Sequence, residues 1–280
     1  MKRQYSLAYL TTPGVDPVEQ IKIAKECGYD YVSLRTIPMH LPGEPEFLLD
    51  KDPALFEATK AALAEYDMPL MDIELARVRP DLNIEEYKPA FEAAAKLGAT
   101  DVLGSIWTRD KNYYLETAAK IADDAKEFGL NYNIEFLPWA GVRNLQEAIT
   151  LIDDLGRENV YVMVDTLHAG RAGVTGKELG RTGSKYFHFI HLCDGPAGPD
   201  GDVVLDNIKD DLMLYTAREA RYYVGDGDID IASMIANMPN IPLSIELPNL
   251  KEIEARGRKG HAQACIDKAK AYFRAHGLED

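Results

Sequence analysis

Four polar residues sit at corresponding places in four apolar runs. Tyr132-Asn133-Ile134-Glu135-Phe136-Leu137-Pro138 carries Glu135, and Val162-Met163-Val164-Asp165-Thr166-Leu167-His168 carries Asp165. His188-Phe189-Ile190-His191-Leu192-Cys193-Asp194 carries His191, and Leu243-Ser244-Ile245-Glu246-Leu247-Pro248 carries Glu246. Burying an ionised carboxylate is costly unless it is paired or bound to metal. One such residue alone is commonly a salt-bridge partner. Four in register on consecutive runs predict one divalent cation held by Glu135, Asp165, His191 and Glu246. Hard oxygen donors with one imidazole suit Mn²⁺, the expected ion, with Mg²⁺, Co²⁺ or Zn²⁺ as alternatives.

Those runs belong to a longer alternation. Short stretches rich in β-branched and aromatic residues occur at Ser6–Leu10, Tyr31–Arg35, Leu70–Leu75, Asp101–Trp107, Tyr132–Leu137, Val160–Asp165, Phe187–Cys193 and Leu243–Leu247. They suit buried parallel strands. Between them lie amphipathic stretches at Asp16–Cys27, Tyr87–Leu97, Tyr114–Phe128 and Leu145–Leu155, each followed by a glycine that can cap a helix end. A last helix is expected over about Gly260–His276. Eight strand–helix units predict one α/β domain over residues 1–280, a single (β/α)8 TIM barrel. An open doubly wound sheet is the alternative, but no Gly-x-Gly-x-x-Gly follows the first strand. The carboxylate-bearing strand ends then meet at the C-terminal mouth, where barrel active sites form. From His191 to Glu246 is 55 residues, against 26 to 39 between the other strand ends. A long loop after strand seven, roughly Asp194–Gly227, is therefore expected to close over substrate. His188 and His191 fall on opposite faces of a strand. If His191 faces the mouth, His188 is expected to pack as a core histidine.

Composition narrows the function classes. The chain has 280 residues, 46 Asp+Glu against 31 Lys+Arg, and a formal charge of −15. That balance opposes a phosphate-backbone partner, so no nucleic acid is expected. No apolar run approaches the roughly 18 residues that span a bilayer, so no membrane is expected. The N-terminus is basic, but its apolar stretch is broken and reads as a strand, not a signal peptide. Three widely spaced cysteines, Cys27, Cys193 and Cys265, read as buried thiols in a reducing, cytoplasmic compartment. No phosphate loop, nucleophile elbow or Cys–His pairing is present.

The motifs around the four candidate ligands, with Arg221 leading into Gly225-Asp226-Gly227-Asp228-Ile229-Asp230, resemble the xylose isomerase-like TIM-barrel superfamily. The similarity is to its sugar isomerase/epimerase branch, which includes ketose 3-epimerases and inositol-catabolism enzymes. The resemblance implies one metal on Glu135, Asp165, His191 and Glu246. It implies that Glu135 and Glu246 also form the acid/base pair, and that His168 and Arg221 touch substrate oxygens. Val224-Gly225-Asp226-Gly227 stands where the family has Pro-Gly-x-Gly, and Pro138-Trp139-Ala140-Gly141 replaces the second acidic residue common in ketose 3-epimerases.

A metal chelated by a ketone and its neighbouring hydroxyl acidifies the C–H between them and stabilises an enediolate. Reprotonation on the other face is epimerisation, on the adjacent carbon isomerisation. Loss of a β-leaving group makes a dehydratase or lyase, acting on a keto-sugar, keto-inositol or keto-glycoside. The residues leave these outcomes open, with isomerase/epimerase first and a small carbohydrate as substrate. Oligomeric state is likewise open, with a homo-oligomer allowed. Arg35, Glu74 and Trp107 end strands two, three and four, and Arg35 and Glu74 can simply pair. Trp107 and Trp139 can stack on a sugar face. Arg218 and Arg221 lie in the long loop, where Arg218 can reach substrate or balance Glu219. Asp194 can orient His168, bind substrate or cap the loop. Leu137 stands where dehydroshikimate dehydratases tend to carry a histidine. The early strand ends lack the extra histidines of an abasic-site endonuclease. A full ligand set opposes a non-catalytic barrel.

Overall fold

The computed structural model describes residues 2–196 and 210–278. In chain order the elements are β1 Tyr5–Leu7, α1 Pro17–Cys27, β2 Tyr31–Arg35, α2 Pro53–Glu65, β3 Leu70–Val78, α3 Tyr87–Lys96, β4 Asp101–Ile106, α4 Lys111–Glu127 and β5 Asn131–Glu135. They continue with α5 Leu145–Leu155, β6 Val160–Asp165, α6 Thr166–Arg171, α7 Gly176–Thr182, β7 Ile190–Leu192, α8 Asp210–Glu219, α9 Ile231–Ala236, β8 Leu243–Ile245 and α10 Leu250–Ala275. The strands form a closed barrel in sequence order, every neighbour parallel. This is the (β/α)8 architecture expected from the alternation. Among the described residues no helix is long and apolar enough to cross a membrane.

Local chemistry sets the helix boundaries. Asp16 accepts from the Val18 and Glu19 amides, Pro17 takes the first helical position of α1, and Gly28 closes it at φ 78°. Asn144 and Gly156 do the same for α5, as predicted from the glycine positions. The closing helix starts earlier than expected. Asn249 accepts from the Glu252 amide, and a break at Gly257 (φ 70°) separates its first turns from the rest.

Several strands also differ from expectation. β1 stops at Leu7 and β5 at Glu135, short of the expected Leu10 and Leu137. β3 runs to Val78, so Glu74 lies inside a strand and not at its end. Polar Arg77 hides that extension in the sequence, although Ala76, Arg77 and Val78 pair with Gly104, Ser105 and Ile106. β7 stops at Leu192 and β8 at Ile245, because side chains replace the ladder there. The Cys193 amide donates to Thr166 Oγ1, and the Leu247 amide donates to Thr11 Oγ1. β7 also starts only at Ile190, so strand alternation does not govern His188. Its side chain is 40% exposed, its Nδ1 lies 2.6 Å from Asp101 Oδ1, and its ring stacks on Tyr161. The packed core histidine is thus corrected to a half-exposed partner of Asp101.

Period-two alternation separates two apolar regions. Outward residues such as Ile73, Val102, Ile134, Val164, Ile190 and Ile245 pack with the helices in the main core. A second cluster holds Met39, Met71, Leu75, Leu103, Met163 and Phe189. Met163 stands two residues before Asp165 on the inward face of β6, and Phe189, just ahead of β7, packs in the same cluster. This cluster is an apolar plug beneath the polar mouth.

Truncating the plug tests its role. Phe189, 1% exposed, should cost about 3–5 kcal/mol as Phe189→Ala. Denaturant unfolding should show that loss as a lower midpoint with an unchanged slope.

Candidate metal and substrate site

Strand register brings the four candidate ligands together. Asp165 and His191 face each other across the β6–β7 ladder, and His191 pairs with Ser244 in β8. Glu246 is two residues further on, with the same inward direction. Glu135 ends β5 opposite Met163, one pleat below Asp165. Glu135, Asp165, His191 and Glu246 each offer a ligand atom, all within 4.8 Å of one another and all buried. The sequence-derived set is therefore one spatial cluster.

Its electrostatics show what the cluster lacks. Three carboxylates out of water repel one another. Burial, then the negative charges of Glu246 and Asp165, raise the Glu135 carboxyl well above the ordinary range. Burial opposes charge on Glu246 and Asp165 as well. Even so, His191 and Arg221 hold Glu246 low, and Arg221 holds Asp165 low. His191 is pushed up to about 10, because Glu246, Glu135 and Asp165 outweigh its burial. Glu135 Oε1 and His191 Nε2 are buried without a hydrogen-bond partner, and His191 Nδ1 has only a 3.2 Å ion-pair contact to Glu246 Oε2. Orphaned donors and acceptors of this kind need an explanation, and a hard divalent cation supplies one. It would take the place of the imidazole proton and neutralise the surplus carboxylate charge.

One guanidinium holds the ligands. Arg221 Nη1 lies 2.5 Å from Asp165 Oδ2 and 2.9 Å from the Glu246 carbonyl, and Nη2 lies 2.9 Å from Glu246 Oε2. Burial alone would lower the Arg221 pKa, but Asp165, Cys193 and Glu246 raise it well above the usual value. Asp165 Oδ1 meanwhile accepts from the Leu167 and His168 amides, capping α6. Its second oxygen is thereby fixed in direction.

Around the ligands is a cavity lined by Arg35, Glu74, Trp107, Trp139, His168 and Arg218, among others. All the candidate substrate-contacting residues from the sequence, Arg221 included, are on its wall. His168 Nε2 is 3.8 Å from Glu135 Oε1, and Trp139 meets the His168 ring edge-on at 5.0 Å. Burial, ahead of other causes, pulls His168 down to about 4. It is a neutral imidazole whose Nδ1 has no partner. Arg35 and Glu74 pair at 3.3 Å, as the strand ends allowed, and Glu44 adds a 2.6 Å contact to Arg35. Sequence reading missed Glu44, which lies in the irregular stretch after β2 where no periodicity marks it. It also missed Leu10, Met39, Leu75, Leu103 and Leu137, which complete the wall.

Asp194 takes the loop-capping role among those considered. Its carboxylate accepts from the amides of Gly195, Gly225, Gly227 and Ile229 at 2.8–3.2 Å. A Cβ on Gly227 would lie 2.3 Å from Asp194 Oδ1, so only glycine admits this approach. The backbone of Asp194 also pairs with Tyr222, next to Arg221. Within the long loop proposed to cover the substrate, residues 197–209 lie outside the described residues.

Comparison with known proteins agrees with the barrel fold. A family model described as xylose isomerase-like TIM barrel matches residues 21–274. Inosose isomerase of Bacillus velezensis is 23% identical over 244 residues, 80% of this chain and 79% of that protein. Inosose isomerase of Bacillus subtilis is 22% identical over 238 residues, 80% of each. Among solved structures, the IolI protein with a bound zinc atom is similar at TM-score 0.74 and 19% identity, covering 99% of both chains. D-allulose 3-epimerase from Methylomonas sp., in complex with D-allulose, is similar at TM-score 0.67 and 18% identity, covering 97% of this chain and 98% of that one.

Two substitutions probe the site. Asp165→Asn and His191→Ala should each lower the divalent metal retained after dialysis, measured by elemental analysis, while circular dichroism stays that of the folded barrel. Asp194→Asn removes acceptor capacity from a buried nest of four amides. It should cost about 1–3 kcal/mol in denaturant unfolding.

Proposed function

We infer the function from one premise: the chain belongs to the xylose isomerase-like TIM barrel family. On that footing we propose that it is a divalent-metal-dependent isomerase or epimerase of a small carbohydrate, a sugar or keto-polyol carrying a ketone beside a hydroxyl. The observation that carries this reading is the buried cluster of Glu135, Asp165, His191 and Glu246, with ligand atoms within 4.8 Å and orphaned atoms on Glu135 and His191. Relatives that are inosose isomerases and neighbours that are ketose 3-epimerases support it. Mn²⁺ is the proposed ion, and the zinc-bound neighbour keeps Zn²⁺ as a second choice.

The cation would supply Lewis-acid polarisation of the substrate's carbonyl and neighbouring hydroxyl, lowering the pKa of the C–H between them. Everything else falls to the chain's own residues. Glu135 and Glu246 are the proposed acid/base pair. They stand on β5 and just beyond β8, across the barrel mouth from each other in strand order, and both line the cavity. They are not equivalent. Glu246 Oε2 is held by Arg221 at 2.9 Å and lies 3.2 Å from His191 Nδ1. Glu135 Oε1 has no hydrogen-bond partner and lies 3.8 Å from His168 Nε2. Glu246, kept ionised by its two neighbours, is the proposed base that takes the substrate proton, leaving an enediolate. Glu135, whose carboxyl is raised, is the proposed acid that returns its proton on the opposite face, and exchange with solvent then restores both groups. His168 and Arg221 are proposed to contact substrate oxygens, and Trp107 and Trp139 to pack on the carbon skeleton. Met39, Leu75 and Leu103 of the plug give the cavity part of its apolar wall.

Glu135→Gln and Glu246→Gln keep shape but remove the acid or the base. With Mn²⁺ present and metal content equal to wild type, each should lose about 10²–10⁴-fold in turnover. A screen of ketoses and inosones followed by NMR should show epimer or isomer, with solvent deuterium incorporated in D₂O. Recovery of near wild-type rates on adding excess Mn²⁺ to the Gln variants would remove the acid/base assignment. Eliminated water or aglycone would move the enzyme to the dehydratase or lyase class.

A further inference from the structure

The cavity's cations divide into committed and uncommitted ones. Arg221 is bound up with Asp165 and Glu246. Arg35 is held between Glu44 and Glu74 and lies over the Tyr9 ring at 4.7 Å. His168 is neutral. Arg218 also lines the cavity, but among the described residues it makes no ion pair and no side-chain hydrogen bond. Its guanidinium is half-buried. Burial, then the nearby positive charge of Arg35, hold its pKa below the usual arginine value, with Glu44 and Glu219 pulling the other way. Arg218 therefore loses hydration without gaining a partner among the described residues.

We propose that Arg218 receives an anionic group of the substrate, a carboxylate or phosphate carried away from the carbon atoms that bind the metal. The proposal rests on the isomerase/epimerase reading and names the class of substrate within it. The chemistry of the side chain selects this class. A guanidinium only donates, through a planar fork that matches two oxygens of a carboxylate or phosphate. A neutral hydroxyl presents one oxygen and gains much less from it. Charge-assisted bonds of this kind strengthen where water is partly excluded. The remainder of the molecule argues against a diffuse alternative. A chain of net charge −15 repels anions in general, so any anion preference must come from a local cation. Position fits as well. Arg218 is in the last turn of α8, three residues before Arg221, which binds two of the candidate metal ligands. One short segment therefore reaches both the metal-binding end of the cavity and its outer wall.

Three ketoses that differ only at C6 provide the test: D-fructose, D-fructose 6-phosphate and D-fructuronate. Each is titrated calorimetrically into Mn²⁺-loaded protein. At least one anionic ketose should bind more than about tenfold tighter than fructose. The stronger of the two identifies phosphate or carboxylate as the favoured source. In Arg218→Gln that ratio should collapse toward one, and Arg218→Lys should retain part of it. Equal affinities in the wild type, or a ratio that persists in Arg218→Gln, overturns the proposal and leaves the isomerase reading standing. Failure of all three to bind while Mn²⁺ is held overturns the proposal as well, and the isomerase reading is then decided by the screen of ketoses and inosones.

Discussion

Repulsion among three carboxylates at one water-poor point is the constraint on which this barrel depends. Glu135, Asp165 and Glu246 cannot all be ionised there without compensation. The protein provides part of it through Arg221, which reaches two of the three, and through His191. Glu135 is left out of that arrangement, and its carboxyl alone among the three is raised. The proposed divalent cation would complete the balance, and folding and metal affinity would then be linked in this site. What makes the cluster costly without a cation is what makes it a strong ligand with one.

A closed parallel barrel is suited to hold such a point. Its strands have no edges, and the ladder register is set by neighbours on both sides. Side-chain direction at the mouth thus follows from positions in the sequence. Asp165 and His191 are ladder partners, and Glu246 lies one pleat past the partner of His191. Moving any of these strands by one residue would turn its ligand out toward the helices. The apolar layer of Met163, Leu103 and Phe189 resists that slip from below. It also lowers the local dielectric under the ligands, which strengthens every charge interaction above it.

Much of this was legible in the sequence, for a specific reason. Strand alternation has period two, and a polar residue ending an apolar run stands out against it. That signal identified Glu135, Asp165, His191 and Glu246, and the structure brings all four together. The signal failed where alternation is broken. Arg77 disguised the continuation of β3, so Glu74 was read as a strand end. His188 was read by parity although β7 begins two residues later. Glu44 has no periodic neighbours at all, and only the folded loop brings it to Arg35. The four amides on Asp194 are backbone groups, which no pattern of side chains can announce. The glycines at 225 and 227 hinted at a turn, but not at what fills it.

The connection after β7 ties these features into one device. Arg221 donates through Nε to the Ala217 carbonyl at 2.8 Å, closing the C-terminal end of α8. A cation is favoured there by the helix dipole and by the unsatisfied carbonyls. Its other nitrogens hold Asp165 and Glu246. Its backbone amide donates to the Pro248 carbonyl, and its own carbonyl accepts from Asn249 Nδ2. A single residue thus fastens a helix end, the segment beyond β8 and two candidate metal ligands. The turn that follows is fastened by Asp194, only three residues past His191. Since Arg218 is on the same helix end, the proposed substrate contact at the cavity wall and the anchoring of two candidate metal ligands share one support.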